Sequence, residues 1–495
     1  MEQLTTLDAG FLEAEDSDRH VSLAIGGLAV IDGPAPDYDM LVATLAERVP
    51  SIPRFTQVLH THVLDLGAPE WVDDARFDIA HHVHRRALPQ PGDDAALFRL
   101  VAEIMERRLD RDRPLWECWI IEGLAEGRWA MLTKLHHCIA DGISATHVLT
   151  GLCDGAGGGT FADRIRAAKE SKPQPSSPSG LSLNPLSWIG GMWRLSTAVT
   201  SAAARATMGA VEIAAAVVSP TDSSLTGPVS NLRRYSAARV SLVDVATVCQ
   251  KFDVTINDVA LAAITESFRT LLMHRGEQPH RNSLRTLVPV SVRAADAFDK
   301  PDNRVSVMLP YLPVELEDPV ERLHAVHSRL ARTKSSGQRQ AGSAFFAAAN
   351  YVPFAWTAWT VRLLTRLPQL GIVALATNVP GPRHRISIMG HRVVRLLPVP
   401  PIALQLRTGI AMLSYGDDLA FGVTADYDAV PDVDELARGI ERAVARLVAV
   451  SEGAGGPDGS GKPLPLPHDR WHEMPGVHPA QPNGAVPNGA VGKLP

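Results

Sequence analysis

Glycine and proline crowd into two stretches of this chain, and those stretches limit how many packed units it can form. Gly155-Ala156-Gly157-Gly158-Gly159 opens the first, which continues through Pro173-Gln174-Pro175-Ser176-Ser177-Pro178 to Pro185. The second begins at Gly453, and in it Pro482-Asn483-Gly484-Ala485-Val486 is followed at once by Pro487-Asn488-Gly489-Ala490-Val491. Glycine adds backbone freedom and proline removes a backbone donor, so neither stretch sustains a helix or a β-ladder. The first reads as a flexible crossover and the second as a tail with no packed core. This leaves an N-terminal domain at 1–154, a linker at 155–185, a C-terminal domain at 186–452 and a tail at 453–495.

Both blocks mix strand and helix patterns. His20–Ile31, Trp116–Leu124 and Arg128–His137 read as strands and Asp94–Leu109 as a helix. In the second block an alanine-rich helical stretch spans Leu195–Ser219. Strands are expected at Leu284–Val292, Val305–Val314 and Ile410–Tyr415. Between Val259 and Arg275 the residues Leu261, Ile264, Phe268, Leu271 and Leu272 share one helical face, with Gly276 placed to end it. The class is α/β or α+β, without the regular βαβ rhythm of a dinucleotide fold.

Bulk properties exclude several functions. Of 495 residues, 45% are hydrophobic and 21% charged, a globular composition. A net charge of −6 removes the basic footprint of a nucleic-acid binder. Cys118, Cys138, Cys153 and Cys249 form no C-x-x-C pair, which argues against a zinc framework and fits a reduced cytoplasm. The acidic start, Met1-Glu2-Gln3-Leu4-Thr5-Thr6-Leu7-Asp8, lacks the basic and apolar regions of a secretory signal. Residues 340–361 are uncharged, but Gln340, Asn350 and Pro353 interrupt them, so they read as a buried helix pair or an aromatic interfacial patch rather than a membrane span.

One polar cluster stands out in an apolar setting: His136-His137-Cys138-Ile139-Ala140-Asp141-Gly142. It follows the strand ending near Leu135 and precedes a helix with Ala145, Val148, Leu149 and Leu152 on one face. Alternation along the strand would put His137 with Met131, Thr133 and Leu135, and His136 on the opposite side. Adjacent histidines pointing apart cannot easily ligate one ion, so no metal site is expected. A general base and a satisfied buried histidine both stay open. An imidazole with a pKa near about 6.5 suits proton abstraction from an alcohol. Asp141 can orient the ring or cap the next helix, and Gly142 permits close backbone approach.

H-H-x-x-x-D-G on this topology resembles the acyl-CoA-dependent acyltransferases related to chloramphenicol acetyltransferase and to peptide-synthetase condensation domains. Further segments narrow the resemblance to the bacterial wax ester synthase/diacylglycerol acyltransferase family. They are Leu7-Asp8-Ala9-Gly10-Phe11-Leu12, Pro114-Leu115-Trp116, Asn257-Asp258-Val259-Ala260-Leu261-Ala262, Val288-Pro289-Val290-Ser291-Val292-Arg293 and Thr377-Asn378-Val379-Pro380-Gly381-Pro382, in family order over roughly residues 4–450. One departure is Asp302-Asn303, where the family often has Gly-Asn.

The resemblance implies two chloramphenicol-acetyltransferase-like domains, mixed β-sheets with flanking helices, joined by a crossover and enclosing an active-site channel. It implies His137 as general base, with His136, Asp141 and Gly142 completing the motif. Arg293 is a candidate partner for Asp141, and Asn378 a candidate for the oxyanion donor. Asn257 and Asp258 either cap the following helix or shape the channel; Pro114, Leu115 and Trp116 are core anchors or channel support. The substrates implied are a fatty acyl-CoA, which is no resident cofactor, and diacylglycerol or a long-chain alcohol. Peripheral contact with a membrane or lipid droplet goes with such substrates. Eight lysines among 48 basic residues suggest a high-GC bacterial genome and tilt the acceptor toward diacylglycerol. Acylation of a glycolipid or polyketide hydroxyl, and a non-catalytic lipid-binding role, are the competing readings.

Two further patterns carry no function. His81-His82-Val83-His84 is followed by Arg85-Arg86, which would oppose a cation. Gly456-Pro457-Asp458-Gly459-Ser460-Gly461-Lys462 has Pro463 where a phosphate loop needs Ser or Thr, and no strand precedes it. The absence of a G-x-S-x-G elbow argues against an α/β-hydrolase.

Overall fold

The computed structural model describes residues 2–61, 68–139, 148–154, 223–291, 305–335, 371–379, 381–382, 385–403 and 405–453. The expected linker, the tail beyond Gly453, the helical stretch 195–219, the run 340–361 and the glycine-rich decoy near 456 lie outside them. Among the described residues, two six-stranded mixed sheets organise the fold.

The first sheet is built mainly from the N-terminal half. Its strands are β2 (Ala24–Ile31), β5 (Val83–Ala87), β6 (Trp116–Leu124), β7 (Arg128–His136), β12 (Ser387–Ile388) and β13 (His391–Val399), in the order β12-β13-β2-β7-β6-β5. A smaller sheet, β1 (Glu2–Gln3), β4 (Glu70–Asp73) and β3 (Gln57–His60), lies beside it in sequence. β7 is buried along nearly its whole length because both of its faces are covered. On one face α3 (Asp94–Glu106) brings Leu97, Val101, Ile104 and Met105 against Leu28 and Leu132. On the other, α2 (Tyr38–Arg48) brings Leu41 and Leu45 against Ala29 and Met131.

The second sheet runs β10-β9-β11-β14-β15-β8. These are β8 (Arg233–Ser241), β9 (Thr286–Ser291), β10 (Val305–Met308), β11 (Ala374–Val379), β14 (Thr408–Tyr415) and β15 (Asp418–Asp426). α4 (Leu242–Phe252), α5 (Ile256–His274), α6 (Pro319–Ser335) and α7 (Val433–Ser451) supply its helical layer, and Phe268, Leu323, Leu436 and Ile440 join Ile410 and Phe421 in one core. α5 starts three residues before the expected Val259. Thr255 accepts the Asp258 amide while Asp258 accepts the Thr255 amide, and this reciprocal cap holds the extra turn. Gly276, at φ 76°, ends it as expected.

One pairing was not legible from block boundaries. β13, from the second half of the chain, runs antiparallel to β2, with Leu397 opposite Leu28 and Val399 opposite Gly26. At its end β13 meets the second sheet. The Pro398 carbonyl accepts from the Tyr235 hydroxyl at 3.0 Å, and a Cβ on Gly422 would fall 1.6 Å from that carbonyl oxygen. Arg395 reaches back to Asp94 on α3 with two bonds of 2.7 Å. No helix among the described residues is long and apolar enough to cross a membrane.

Residue 422 therefore has to be glycine for these strands to touch. Gly422→Ala is expected to lower unfolding stability by at least about 2 kcal/mol. Gly27→Ala, whose Cβ would meet its nearest neighbour at 3.6 Å, should stay close to the natural protein. Chemical denaturation of both variants checks this.

Candidate active site

The histidine motif leaves the sheet one residue earlier than alternation predicts. β7 ends at His136, which pairs with Ala24, and His137 begins a turn. The turn is fixed by backbone bonds. The Ile139 amide donates to the His136 carbonyl at 2.9 Å, and the His137 amide donates to the Leu23 carbonyl at 3.0 Å. The Cys138 amide donates to Nδ1 of His136 at 3.2 Å. The neutral His136 ring therefore carries its proton on Nε2.

Both rings lie against one helix, a correction to the expectation that they point apart. α1 (Thr6–Ser17), capped by Thr5, presents Phe11 and Glu15 one turn apart on the same face. The Phe11 ring stacks on His137 with centroids 4.2 Å apart. Glu15, 1% exposed, places Oε2 3.5 Å from Nε2 of His136 and 2.7 Å from the Arg111 guanidinium. Its Oε1 accepts the Leu23 amide at 3.0 Å. Arg108 secures the helix end, donating to the Val21 carbonyl at 2.9 Å and to the carbonyls of Glu15 and Asp18. From the motif strand itself, fully buried Lys134 donates to the carbonyl of Ile104 at 2.9 Å and to that of Arg107 at the end of α3.

Burial sets the protonation of the site. It pushes the His137 pKa down to about 4, with His136 nearby acting the same way and a bond to its own backbone opposing. His137 is accordingly neutral at neutral pH. For Glu15 burial alone would raise the pKa, but His136, the Leu23 amide and Arg111 outweigh it and hold the carboxyl at about 2. Burial also lowers the pKa of Lys134, against the pull of Glu117.

The Pro114-Leu115-Trp116 segment abuts the same turn. The His136 amide donates to the Leu115 carbonyl at 3.0 Å, and Trp116 opens β6 opposite Leu135. The Trp116 indole donates to the Phe55 carbonyl at 2.9 Å and is sandwiched between Phe55 and His82. Nδ1 of His82 lies 2.8 Å from the Trp116 carbonyl, so this histidine belongs to an aromatic stack. No group of metal-ligating side chains occurs among the described residues, and all four cysteines are free thiols.

Other expected site residues lie elsewhere. Asn257 and Asp258 sit in the first turn of α5, where Asp258 Oδ2 also lies 2.9 Å from Nδ1 of His327 on α6; Asp258 thus caps one helix and clasps it to the next. Asn378 is exposed near the end of β11. Asp141, Gly142 and Arg293 fall outside the described residues. Phe11, Glu15 and Arg111 were missed by sequence reasoning. The four-residue spacing of Phe11 and Glu15 was the available signal, but nothing local shows that this face meets the histidines.

Similarity to known proteins defines the class. The model of the wax ester synthase/diacylglycerol acyltransferase catalytic domain matches residues 4–260, and that of the WS/DGAT C-terminal domain matches 302–447. A solved wax ester synthase/diacylglycerol acyltransferase from Marinobacter aquaeolei VT8 shares the fold at a TM-score of 0.63 and 24% identity, covering 91% of this chain and 100% of that one. The first condensation domain of the CDA synthetase follows at 0.56 and 16% identity, covering 90% and 95%. This is the two-domain acyltransferase fold that the sequence resemblance implies. The chain belongs to the wax ester synthase/diacylglycerol acyltransferase family and is an acyltransferase. The probable diacylglycerol O-acyltransferase tgs1 of Mycobacterium tuberculosis is 60% identical to it over 452 residues, covering 91% of this chain and 97% of the relative. A putative diacylglycerol O-acyltransferase of the same organism is 51% identical over 452 residues, covering 91% and 92%.

The buried carboxylate makes a measurable demand on acid stability. Glu15 moves from an ordinary value of 4.5 to about 2 on folding, so between those values the unfolded chain holds more protons. Its stabilisation is complete above pH 4.5 and is lost as pH falls toward 2, by at most on the order of 3 kcal/mol. Glu15→Gln should flatten that part of the stability-against-pH curve in urea titrations; an unchanged curve would contradict the assigned charge.

Proposed function

We propose that this acyltransferase moves a long-chain acyl group from acyl-CoA to the free hydroxyl of diacylglycerol, with His137 as general base. The observation that carries the reading is the state of His137: an imidazole in the turn after a buried strand, stacked by Phe11 and kept neutral at neutral pH. A neutral imidazole can accept a proton without first losing one. The acceptor is supported by the 60% identity to a relative named as a diacylglycerol O-acyltransferase.

Nδ1 of His137 is buried, which leaves Nε2 to take the hydroxyl proton. The alkoxide oxygen attacks the thioester carbonyl carbon. The tetrahedral species collapses with cleavage of the carbon–sulfur bond, and the imidazolium returns the proton to the departing thiolate. The products are triacylglycerol and free CoA, with no acyl-enzyme. General-base assistance supplies on the order of 10²–10⁴-fold, and confinement of two bulky substrates supplies much of the rest. In this reading the substrates meet in a channel between the two sheet-based domains, Pro114 braces it, and Asp141 with Arg293 as its partner would orient the base. A peripheral seat on a membrane or lipid droplet would deliver the acceptor.

Purified protein given oleoyl-CoA, diacylglycerol and a long-chain alcohol together should make triacylglycerol as the main product on thin-layer analysis. The wax ester band measures the second activity carried in the family name. His137→Ala should lower CoA release at least 10²-fold; turnover equal to the natural protein would refute the assigned base. Because His137 protonates only near pH 4, kcat/KM should show no loss from this group between pH 8 and 5 and should fall on further acidification. An acid limb centred near pH 6.5 would contradict it.

A further inference from the structure

Glu15 stands in the second layer behind the reactive turn, and its surroundings are more specific than an ion pair needs. A buried carboxylate is costly unless it is paired and hydrogen-bonded. Arg111 alone does not account for the position of Glu15, because its guanidinium is one-third exposed and also reaches the surface carboxylate Asp16 at 3.1 Å. What the burial of Glu15 adds is an approach to the His136 ring and a bond to Leu23, the residue that holds the His137 amide.

The two carboxylate oxygens diverge. Oε1 takes the Leu23 amide, and the carbonyl of that same residue takes the His137 amide, so one residue links Glu15 to the backbone of the base. Oε2 faces the Nε2 atom of His136, the atom that must carry the proton because Nδ1 already accepts the Cys138 amide. One turn earlier on the same helix face, Phe11 lies flat against the His137 ring. α1 thus meets the ring of His137 through Phe11 and the ring of His136 through Glu15, and it reaches the His137 backbone only by way of Leu23.

We propose that Glu15 is a positioning residue for acyl transfer, fixing the tautomer and orientation of His136 and, through Leu23, the backbone of His137. The proposal rests on the reading of His137 as the base. Glu15 need not touch either substrate. Its contribution is the alignment of the imidazole with the acceptor hydroxyl, where a misplacement of about 1 Å can cost on the order of 10²-fold in rate.

The test is a double-mutant cycle in the full chain with Glu15→Gln, His136→Ala and the pair together, following CoA release from oleoyl-CoA and diacylglycerol. Glutamine keeps an oxygen for the Leu23 amide but presents an amide group where His136 needs an acceptor. Glu15→Gln is expected to lower kcat at least tenfold, leave KM for oleoyl-CoA within twofold, and melt within a few degrees of the natural protein. In the His136→Ala background the same change should alter kcat less than twofold. A kcat within twofold of the natural protein, or losses that simply multiply, would overturn the proposal. Glu15→Asp retains the charge but shortens the reach by one carbon; it gives the same expected loss where Glu15→Gln is not recovered folded. His137→Ala separates the two readings. If it turns over fully, the base falls and the positioning with it. If it is dead while Glu15→Gln has natural kcat, the positioning alone falls.

Discussion

The contact between the Pro398 carbonyl and the bare Cα of residue 422 is the constraint on which the architecture depends. It lets β13 end against β15 while its other residues pair with β2 in the first sheet. β2 in turn lies beside β7, the strand that delivers His136 and His137. The approach of two backbones far along the sequence thus braces the strand next to the one that carries the motif. Tyr235 donates to that carbonyl, and Arg395 ties β13 to α3, so the junction combines steric fit with satisfied polar groups.

Around the motif the same economy of contacts recurs. His136 is held through its amide by Leu115 and through Nδ1 by the Cys138 amide, and its Nε2 faces the Glu15 carboxylate across 3.5 Å. His137 is held by Leu23 and Phe11. Burial keeps the His137 ring neutral, while the carboxylate beside the His136 ring stays ionised. Two neighbouring histidines thus sit in separate environments.

Much of this was legible in the residues. The apolar runs at Trp116–Leu124 and Arg128–His136 are strands because they are covered on both faces, and the amphipathic stretch after Asp94 is a helix because its apolar face packs on them. Asp258 does cap a helix, one of the two roles its position before Val259 leaves open, and the cap reaches back to Thr255 and starts the helix earlier. What could not be read were contacts between distant segments. A glutamate in a short amphipathic helix ordinarily faces water, and only the packing of α1 on the end of β7 turns Glu15 inward. The pairing of β13 with β2 was hidden for the same reason, since periodicity identifies a strand but not its neighbour. Alternation also misled at His137, because it holds only while the strand continues.

The place of β13 in the first sheet has a consequence for synthesis of the chain. A ribosome releases β2, β5, β6 and β7 more than 250 residues before it releases Val399. Until then the outer edge of β2 presents unpaired amides and carbonyls, a template for any other extended chain. Closing so long a loop is slow, and partly built sheets with open edges are prone to aggregate. The nascent protein must therefore keep the half that bears the histidine motif waiting, edge exposed, for a strand encoded near the far end of its message.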